Sequence, residues 1–436
     1  MTLAQKIQDR SARVGVMALG YVGLPLIRAF WNAGFHVIGF DTDPHKTDML
    51  QRGENYLKHL GENFVSDMTA SNRFQATSDM TRLGETDVLL VCVPTPLGPH
   101  QEPDLSFVEQ SSDAIAATLR PNQLIVLEST TYPGTTRDVV LPRLLQSGLT
   151  CGRDFFLAYS PEREDPGRKN ASTRTIPKLV AGIDPTSGEL AANLYRQAVD
   201  QVIPCATTEI AEAAKLLENV YRAVNIALVN ELKVILTRLN IDVWQVIDAA
   251  ATKPFGYQAF YPGPGLGGHC IPIDPFYLAF KAREAGQTTR FIELAGQINH
   301  DMPSYVVNRT MLALNQHSKA VKGSKLLVLG LAYKPDVDDV RESPSFQIIQ
   351  QLKALGADVD YHDPHVPHTP RTRKHDLKMS AIDLNEHALA RYDAVLIATH
   401  HSAYDWPMIA RSARLIIDTR GVMRHLPEPR EHIVTA

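Results

Sequence analysis

The sequence predicts an α/β protein in which two Rossmann-like doubly wound domains are joined by a helical middle domain with one long helix. At both ends of the chain, apolar strands alternate with helical stretches, the pattern of a mostly parallel sheet with helices on both faces. Between them, Glu209 to Leu239 contains no glycine or proline and shows apolar residues at helical spacing. The length of 436 residues also exceeds the roughly 250–300 at which single cores stop growing. We predict domains at residues 1–205, 206–318 and 319–436.

Composition limits the classes of partner. The formal net charge of −4 gives no support to a nucleic-acid-binding surface or a polybasic membrane patch. No apolar stretch reaches the ~18 residues of a membrane span, and the N-terminal residues do not resemble a signal peptide. The four cysteines are widely spaced and form no CxxC motif, which suits a reducing compartment. We therefore expect a cytoplasmic protein without nucleic-acid or membrane partners.

The first domain is predicted to open with a βαβ unit. Its strands are expected at Arg13–Met17 and Phe35–Phe40, with the helix Gly23–Asn32 between them and Gly34 as its stop. The alternation continues with strands at Asp87–Val93, Gln123–Glu128 and Phe155–Tyr159 and helices at Leu105–Leu119 and Thr135–Gln146.

The middle region is predicted to be helical and the last region to return to strand and helix alternation. Thr208 is expected to cap the long helix, a second helix is expected at Ile241–Ala250, and a loop dense in proline and glycine, Phe255–Pro275, precedes two more helical segments. In the last domain the predicted elements are the helix Ser343–Leu355 and strands at Leu326–Gly330, Ala357–His362, Ala394–Ala398 and Leu415–Asp418.

A glycine-rich turn after the first strand indicates a dinucleotide site. Gly20 and Gly23 match the second and third glycines of a GxGxxG fingerprint, while Ala18 occupies the position of the first. Asp41, at the end of the second strand, is placed to accept hydrogen bonds from both ribose hydroxyls and to repel a 2′-phosphate. The alternative is a glycine-rich turn in an α/β fold that binds another ligand.

A loop with one thiol is the candidate catalytic segment. Residues 263–274 read GPGLGGHCIPID, so the backbone can approach a ligand closely while Cys270 faces it, with Asp274 four residues later. From local sequence alone a structural role for this cysteine is equally plausible. Cys92, Cys151 and Cys205 lie in or beside apolar strands and are expected to be small buried residues.

Two further groups of polar residues are candidates for a catalytic role. Lys215 and Asn219 lie four residues apart on the long helix, so a cation and an amide share one face and can meet a developing oxyanion. Glu162 follows a strand end, where open α/β sheets place their chemistry. The alternatives are an exposed surface pair for the first two and a surface charge cluster for Glu162.

Five separated blocks together resemble one family. They are LGYVGLP at 19–25, ESTTYPGTT at 128–136, YSPEREDPG at 159–167, PGPGLGGHCIPIDP at 262–275 and LGLAYKPDVDDVRESP at 329–344. In this order, and over nearly the whole chain, they are similar to the UDP-glucose/GDP-mannose dehydrogenase family. Ala18 is the clear departure from the pattern.

The resemblance implies a four-electron oxidation of a sugar hydroxymethyl group to a carboxylate, through an aldehyde and a cysteine thioester. It implies Cys270 as nucleophile, Asp274 and Thr130 as residues that activate or place water, Lys215 and Asn219 as the oxyanion pair and Glu162 as an acid/base.

The resemblance also implies the ligands. NAD would contact Gly20, Tyr21, Val22, Gly23, Asp41, Thr95 and Thr130 in the first domain and Arg341 in the third. A UDP-sugar would contact Glu162, Lys215, Asn219, Gly267 and Lys334. Lys334 and Arg341 supply local positive charge near the substrate phosphates, with solvated surface charge as their alternative. A homodimer or higher homo-oligomer, built on the long helix, is implied as well.

The blocks YSPEREDPG and GPGLGGHCIPIDPFYL are more similar to the branch that acts on UDP-N-acetylglucosamine than to the UDP-glucose branch. UDP-glucose, UDP-N-acetylmannosamine and a non-catalytic sugar-nucleotide binder remain alternatives, as does a two-electron dehydrogenase that needs no thiol. No metal is expected. His362, His365 and His368 recur every third residue, but Pro364 and Pro367 prevent a common helical face.

Overall fold

The computed structural model describes residues 1–57, 60–98, 101–163, 173–268, 271–372, 374–427 and 431–436. The chain forms two compact units. The first unit contains Met1–Glu218 and Phe276–Thr288, and the second contains Asn219–Pro275 and Thr289–Ala436. Cys270, the predicted nucleophile, lies outside the described residues.

The first unit contains an eight-stranded sheet. Its strands are β1 (Arg13–Met17), β2 (His36–Phe40), β3 (Phe74–Thr77), β4 (Val88–Val91), β5 (Leu124–Leu127), β6 (Phe156–Tyr159), β7 (Lys178–Gly182) and β8 (Val202–Pro204). Their order is β3-β2-β1-β4-β5-β6-β7-β8, with β1 to β6 all parallel and β7 antiparallel to β6. The first six strands thus have the 3-2-1-4-5-6 order of dinucleotide-binding folds.

The second unit contains a five-stranded, fully parallel sheet. Its strands are β9 (Lys325–Leu329), β10 (Asp358–His362), β11 (Ala394–Ile397), β12 (Ile416–Asp418) and β13 (Ile433–Thr435). The order β10-β9-β11-β12-β13 is the other common doubly wound arrangement. β10 lies on one side of β9 and the later strands lie on the other, so the strand order reverses between β9 and β11.

The helices account for the remaining regular structure. They are α1 (Leu3–Gln8), α2 (Gly23–Asn32), α3 (Pro44–Gln51), α4 (Ser66–Thr69), α5 (Ser106–Thr118), α6 (Leu141–Leu144), α7 (Pro185–Arg196), α8 (Thr208–Arg238), α9 (Val243–Ala251), α10 (Asp274–Glu284), α11 (Arg290–Gln316), α12 (Pro344–Ala354), α13 (Glu386–Leu389) and α14 (Trp406–Ser412). Four of them, α8 to α11, follow one another without an intervening strand and form the predicted helical middle.

Both faces of the second sheet are buried, as a doubly wound fold requires. Leu326 and Val328 of β9 belong to one apolar cluster, while Leu327 and Leu329 belong to another. This alternation follows from the two-residue repeat of a strand, which sends neighbouring side chains to opposite faces. Because both faces meet helices, the strands read as continuous apolar runs.

The predicted fold class is confirmed, with local differences. Thr207, rather than Thr208, caps α8: its Oγ1 accepts the N–H of Ile210 at 3.3 Å, because the cap lies just before the first helical residue. The hydroxyl of Thr208 is buried and has no partner among the described residues. The predicted helix from Thr135 begins as a π-helix over Thr136–Val140 and continues as α6.

Two further predictions concern the cysteines and membrane-spanning helices. Cys92, Cys151 and Cys205 are half-buried rather than fully buried, so they are not pure core residues. Among the described residues, no helix combines the length and hydrophobicity needed to cross a membrane.

Candidate functional site

The first unit brings most of the predicted cofactor residues to one edge of its sheet. Gly20, Asp41, Thr95, Thr130 and Glu162 follow the ends of β1, β2, β4, β5 and β6 respectively. Because these strands are parallel, their carboxyl ends share one edge, and the strand order reverses between β1 and β4. Ligands of open α/β sheets bind at this reversal.

The turn after β1 explains two of the fingerprint positions. A Cβ atom on Gly23 would lie 2.0 Å from the carbonyl oxygen of Ala18, so only glycine fits there. Ala18 has φ of 70°, the left-handed region that the missing first glycine would adopt without strain. Ala18 therefore places strain in this turn. Among the described residues, a Cβ on Gly20 would meet no atom within 4 Å, which leaves space for a ligand to approach.

Asp41 is held rigidly at the end of β2. Its Oδ2 accepts the N–H of Leu19 at 2.9 Å and its Oδ1 accepts the N–H of Asp43 at 3.0 Å. Lys46 Nζ lies 3.3 Å from Oδ2. The carboxylate is thus fixed beside the fingerprint turn, with one lysine as a neighbouring cation. Tyr21 and Val22, in the same turn, are half-buried and pack against the apolar core of this unit.

Glu162 and Lys215 lie together in the first unit. The Lys215 ammonium is 3.9 Å from Glu162 Oε2, and Lys215 is buried. The alternative for both residues was an exposed surface position, and the burial of Lys215 argues against it. Lys178 holds the segment that carries Glu162, since its Nζ donates to the carbonyl of Pro161 at 3.1 Å and pairs with the buried carboxylate of Glu128.

The segment with Thr130 is tied to α8 by a residue that the sequence did not single out. Glu212 accepts the backbone N–H groups of Gly134 at 2.6 Å and Thr136 at 2.9 Å, and the Thr136 hydroxyl at 2.7 Å. Burial raises the pKa of Glu212 to about 7, although these hydrogen bonds act in the opposite direction. The sequence feature that could have identified Glu212 is its position on the same predicted helix, three residues before Lys215.

The helix α10, which begins at Asp274, packs within the first unit beside two predicted cofactor residues. Tyr277 Oη donates to the carbonyl of Pro96 at 3.3 Å, directly after Thr95. The rings of Tyr277 and Phe280 lie 6.3 Å and 5.8 Å from that of Tyr132, two residues after Thr130. The part of α10 that belongs to the first unit, residues 276–284, is therefore anchored near the sheet edge that carries both threonines.

In the second unit, Asn219 and Asp274 are buried and paired. Asn219 Nδ2 donates to Asp274 Oδ2, and Asn219 Oδ1 accepts from the guanidinium of Arg222. The amide is therefore oriented by an acid on one side and a cation on the other. Burial argues against an exposed surface role for Asn219.

The glycine loop before Cys270 is held by α8 at its start. The N–H of Gly263 donates to Asn230 Oδ1 at 3.0 Å, and the carbonyl of Gly263 accepts from Lys233 Nζ at 3.3 Å. Asn230 is fixed in turn by Asn299. Burial lowers the pKa of Lys233 to about 7. Neither Asn230 nor Lys233 was predicted, because nothing in the sequence links them to a loop thirty residues later.

The same loop lies against the segment that contains the predicted phosphate-binding residues. A Cβ atom on Gly267 would lie 2.4 Å from Tyr333 Cβ, and the N–H of Gly268 donates to the carbonyl of Arg341 at 3.0 Å. Arg341 pairs with Asp339 through two nitrogens, and Lys334 Nζ lies 5.7 Å from the centre of the Tyr333 ring.

Arg420 is a further basic group at this place. Its Nε donates to the carbonyl of Ala398 at 2.7 Å, and a Cβ on Gly263 would lie 2.5 Å from its Nη1. Burial lowers the pKa of Arg420 to about 10. A basic residue just after the predicted strand Leu415–Asp418 was the signal that would have identified it.

The predicted histidine run does not form a cluster. His362 contacts Tyr404 and His368 contacts Ser380. Among the described residues, a group with metal-ligand spacing is formed instead by Asp336, His365 and His401. Both ring nitrogens of His401 are already in hydrogen bonds, which leaves that ring no lone pair for a metal in this arrangement.

Comparison with known proteins assigns the three regions. The NAD binding domain of the UDP-glucose/GDP-mannose dehydrogenase family matches residues 12–199, the central domain matches residues 209–301, and the UDP binding domain matches residues 327–425.

Relatives align over nearly the whole chain. Protein CapL of Staphylococcus aureus is 35% identical, covering 94% of this chain and 96% of the relative. A UDP-N-acetyl-D-glucosamine 6-dehydrogenase of Pseudomonas aeruginosa is 34% identical, covering 91% and 92%. The structure of a UDP-D-ManNAc dehydrogenase from Pyrococcus horikoshii superposes with a TM-score of 0.87 at 30% identity, covering 97% and 98%. With its NAD binding, central and UDP binding domains, the chain is an NAD-dependent oxidoreductase and belongs to the UDP-glucose/GDP-mannose dehydrogenase family.

Proposed function

We propose that the enzyme oxidises the C6 hydroxymethyl group of a UDP-sugar to the carboxylate, with Cys270 as covalent nucleophile and UDP-N-acetylglucosamine as the preferred substrate. The observation that carries the proposal is the double attachment of the cysteine loop to α8, through Gly263 at one end and Asp274 at the other. Both anchors of the loop are therefore held by α8, the helix that carries Asn219.

The proposed sequence has two oxidations and one hydrolysis. The hydroxymethyl group first becomes an aldehyde, by loss of a hydride from its carbon and of a proton from its oxygen. The Cys270 thiolate adds to the aldehyde carbon, and loss of a second hydride gives a thioester. Water then adds to the thioester, the C–S bond breaks, and the acid leaves. Each sugar consumes two NAD and one water.

The polar residues have distinct proposed roles. Lys215 and Asn219 stabilise the oxyanion of the thiohemiacetal and of the hydrolytic intermediate, since both are buried donors on one face of α8. Asp274, which already accepts a hydrogen bond from Asn219, takes the proton of the attacking water, and Thr130 places that water. Glu162 acts as the acid/base, supported by its proximity to Lys215.

The NAD residues fit the cofactor on physical grounds. Gly20 leaves open space at the turn, and Asp41 offers a fixed acceptor for the ribose hydroxyls at the point where the strand order reverses. Gly23, Tyr21 and Val22 complete the turn, and Thr95, Thr130 and Arg341 are proposed as the remaining contacts. When bound, NAD accepts the hydride in each oxidation.

The UDP portion is proposed to lie beside Gly267 and Lys334 in the second unit. The glycine at 267 brings the loop backbone close to Tyr333, next to Lys334, where a lysine can meet the diphosphate. The sugar choice rests on the sequence of the blocks around Glu162 and Cys270. Relatives named for UDP-N-acetylglucosamine and for UDP-N-acetylmannosamine both align, so these two sugars and UDP-glucose form the test panel.

The oligomer is proposed to be a homodimer or larger homo-oligomer formed through α8. Large apolar side chains project into solvent at intervals of seven and four residues. They form a stripe along one face of α8, made of Ile210, Leu217, Tyr221, Leu228 and Ile235 and continued by Leu239 directly after the helix. Each is at least 45% exposed. A second copy offers the same stripe, as an isologous interface requires. We also propose that the chain has three domains, at residues 1–205, 206–318 and 319–436.

The test incubates the enzyme with NAD and each UDP-sugar, and reads reduced cofactor and product mass together. We expect two reduced cofactors per sugar, an acid as product, and the highest kcat/KM with UDP-N-acetylglucosamine. A preference for another sugar would overturn the substrate assignment alone. One reduced cofactor per sugar would favour the two-electron dehydrogenase, and binding without turnover would favour the sugar-nucleotide binder.

Replacement of the thiol separates the mechanism from a structural role. Cys270→Ser should lower acid formation by orders of magnitude, because the hydroxyl ionises far less near neutral pH and is a poorer leaving group. Cys205→Ser, at a half-buried cysteine elsewhere, is the matched control and should keep near-normal rates. Equal activity of the two variants would exclude the covalent mechanism.

A further inference from the structure

The segment that carries Lys334 is fixed at both ends. At its start, the N–H groups of Leu331 and Ala332 donate to Asp363 Oδ2 at 2.7 Å and 2.9 Å. At its other end, the N–H of Asp336 donates to His401 Nδ1 at 3.0 Å. Lys334 lies between these two attachments, so its backbone position depends on both.

His401 links the two attachments. It is fully buried, and its Nε2 lies 3.0 Å from Asp363 Oδ2. Because Nδ1 accepts the Asp336 N–H, it carries no proton, and Nε2 must be the donor to Asp363. The neutral ring with the proton on Nε2 is therefore the one form that makes both hydrogen bonds.

Asp363 keeps the ring in that form. Burial alone would raise its pKa, but hydrogen bonds from His401 and from backbone N–H groups hold the pKa of Asp363 below its usual value. Its other oxygen accepts the N–H groups of His365 and Val366 at 2.8 Å and 3.1 Å. The acceptor for Nε2–H is thus an ionised, rigid carboxylate at the end of β10.

The attachment at Asp336 holds a backbone conformation that would otherwise relax. Asp336 has φ of 60°, in the left-handed region that L-residues adopt rarely. Besides the bond to His401, its Oδ1 accepts from Ser402 N at 2.8 Å and Ser402 Oγ at 2.9 Å. Loss of the ring acceptor removes the hydrogen bond of the Asp336 N–H at this left-handed residue.

We propose that His401, oriented by Asp363, is a positioning residue that fixes the segment Leu331–Asp336 so that Lys334 meets the diphosphate of the UDP-sugar. The proposal rests on the proposed function of Lys334. It predicts that a change at His401 weakens binding of UDP without altering NAD binding or the chemical step. The titratable groups that face the ring are Asp336, Asp363, His365, His400 and Tyr404.

The experiment measures UDP binding to the full chain by calorimetry, together with KM and kcat for the UDP-sugar. His401→Phe keeps the ring size but removes both hydrogen bonds, and should weaken UDP binding and raise KM by about tenfold, the effect of one lost buried hydrogen bond. kcat at saturation and KM for NAD should stay within about twofold of wild type. His368→Phe, at an exposed histidine paired with Ser380, is the matched control and should bind UDP normally.

A double-mutant cycle with Lys334→Met separates positioning from a general loss of stability. Once Lys334 is absent, His401→Phe should have little further effect on UDP binding, so the two changes are non-additive. Full additivity, or normal UDP binding by a folded His401→Phe variant, would overturn the positioning role. Normal UDP binding by Lys334→Met would instead overturn the proposed function of Lys334.

A second variant covers the case in which His401→Phe does not fold. His401→Asn keeps an acceptor near the Nδ1 position for the Asp336 N–H, so UDP binding should be partly restored. A folded His401→Asn variant that binds UDP as weakly as Lys334→Met would contradict the proposal, because the restored acceptor should keep the Lys334 segment in place.

Discussion

Asn219 donates a side-chain hydrogen bond to the carboxylate of Asp274, across 55 residues of sequence, and both side chains are buried. The pair joins a helix to the residue that ends the cysteine loop. The hydrogen bond from the amide orients this carboxylate, and an ionised carboxylate can accept a proton from water. This relationship is the structural basis for the proposed hydrolytic step.

Asp274→Asn tests that step. The amide keeps the shape of the carboxylate but cannot take a proton, so turnover should fall by about 10²–10⁴-fold, the usual range for loss of a general base. UDP and NAD binding, measured by calorimetry, should be close to wild type. Asp301→Asn, at an exposed aspartate on α11, is the control and should be fully active. Equal rates for the two variants would remove Asp274 from the mechanism.

Asp41→Ala tests the cofactor preference. The fixed carboxylate should favour NAD over NADP because it would face the 2′-phosphate with like charge, with Lys46 as a nearby cation. Its removal should lower kcat/KM for NAD by about 10- to 100-fold, the range for a hydrogen bond to a charged group. The ratio of kcat/KM for NAD to kcat/KM for NADP should therefore decrease. Asp48→Ala, at an exposed aspartate on α3, should leave the ratio unchanged. Comparable efficiency of the wild-type enzyme with both cofactors would contradict the placement of Asp41.

Ala18→Gly tests the strained turn. Glycine adopts the left-handed conformation without the cost of roughly 1–2 kcal/mol, but it gains about 0.4–1 kcal/mol of freedom in the unfolded chain. We therefore expect the free energy of unfolding to be unchanged or to rise by up to about 1.6 kcal/mol. Ala29→Gly, inside α2, should instead lose about 1 kcal/mol. Similar losses in both variants, measured by urea denaturation, would show that Ala18 is unstrained.

Glu212→Gln tests the buried carboxylate that ties the Thr130 segment to α8. Because the folded pKa of Glu212 is raised to about 7, its stabilising contribution is present below pH 4.5 and is lost as pH rises through 7. The wild-type free energy of unfolding should therefore fall between pH 5 and pH 7 relative to the variant, by at most about 1.4 kcal/mol per pH unit.

Glu209 on the same helix supplies the control for that measurement. Its ion pair with Arg137 and other hydrogen bonds outweigh burial and lower its pKa to about 2, so its contribution is lost only as pH falls below 4.5. Glu209→Gln should leave the slope between pH 5 and pH 7 unchanged. Parallel slopes for wild type and Glu212→Gln would mean that Glu212 is ionised throughout.

Leu228→Glu tests the apolar stripe of α8. A carboxylate in the centre of an isologous interface faces its own copy across the two-fold axis, and burial of both charges is unfavourable. The molar mass from sedimentation should fall towards 48.3 kDa, the mass of one chain. Leu145→Glu replaces an equally exposed leucine outside α8 and should leave the mass unchanged. A monomeric wild-type enzyme, or an unchanged mass in Leu228→Glu, would contradict the proposed interface.

Local patterns were sufficient for much of the fold. β1 and α2 follow from apolar runs, caps and glycines that act within a few residues, so their limits agree with the prediction. Thr207 was missed as the cap of α8 because two neighbouring threonines offer the same side chain, and backbone geometry decides between them.

The placement of Asp41 and Glu162 could be predicted from the strands that precede them, because parallel strands end at one edge of the sheet. Thr130, which the family resemblance implied, follows β5 and lies at the same edge. Glu212 and His401 were not predicted, because each acts through backbone groups of segments that are distant in sequence. Only the folded chain brings those donors within hydrogen-bond distance.

The attachment of the cysteine loop at Gly263 and at Asp274 limits how the length of that loop can vary. A residue inserted between the two anchors changes the path of the chain by up to about 3.5 Å, whereas a misplacement of about 1 Å can reduce catalysis a hundredfold. Substitutions within the loop preserve its span, but insertions and deletions do not. The number of residues between Gly263 and Asp274 is therefore as tightly constrained as the identity of Cys270, the proposed nucleophile.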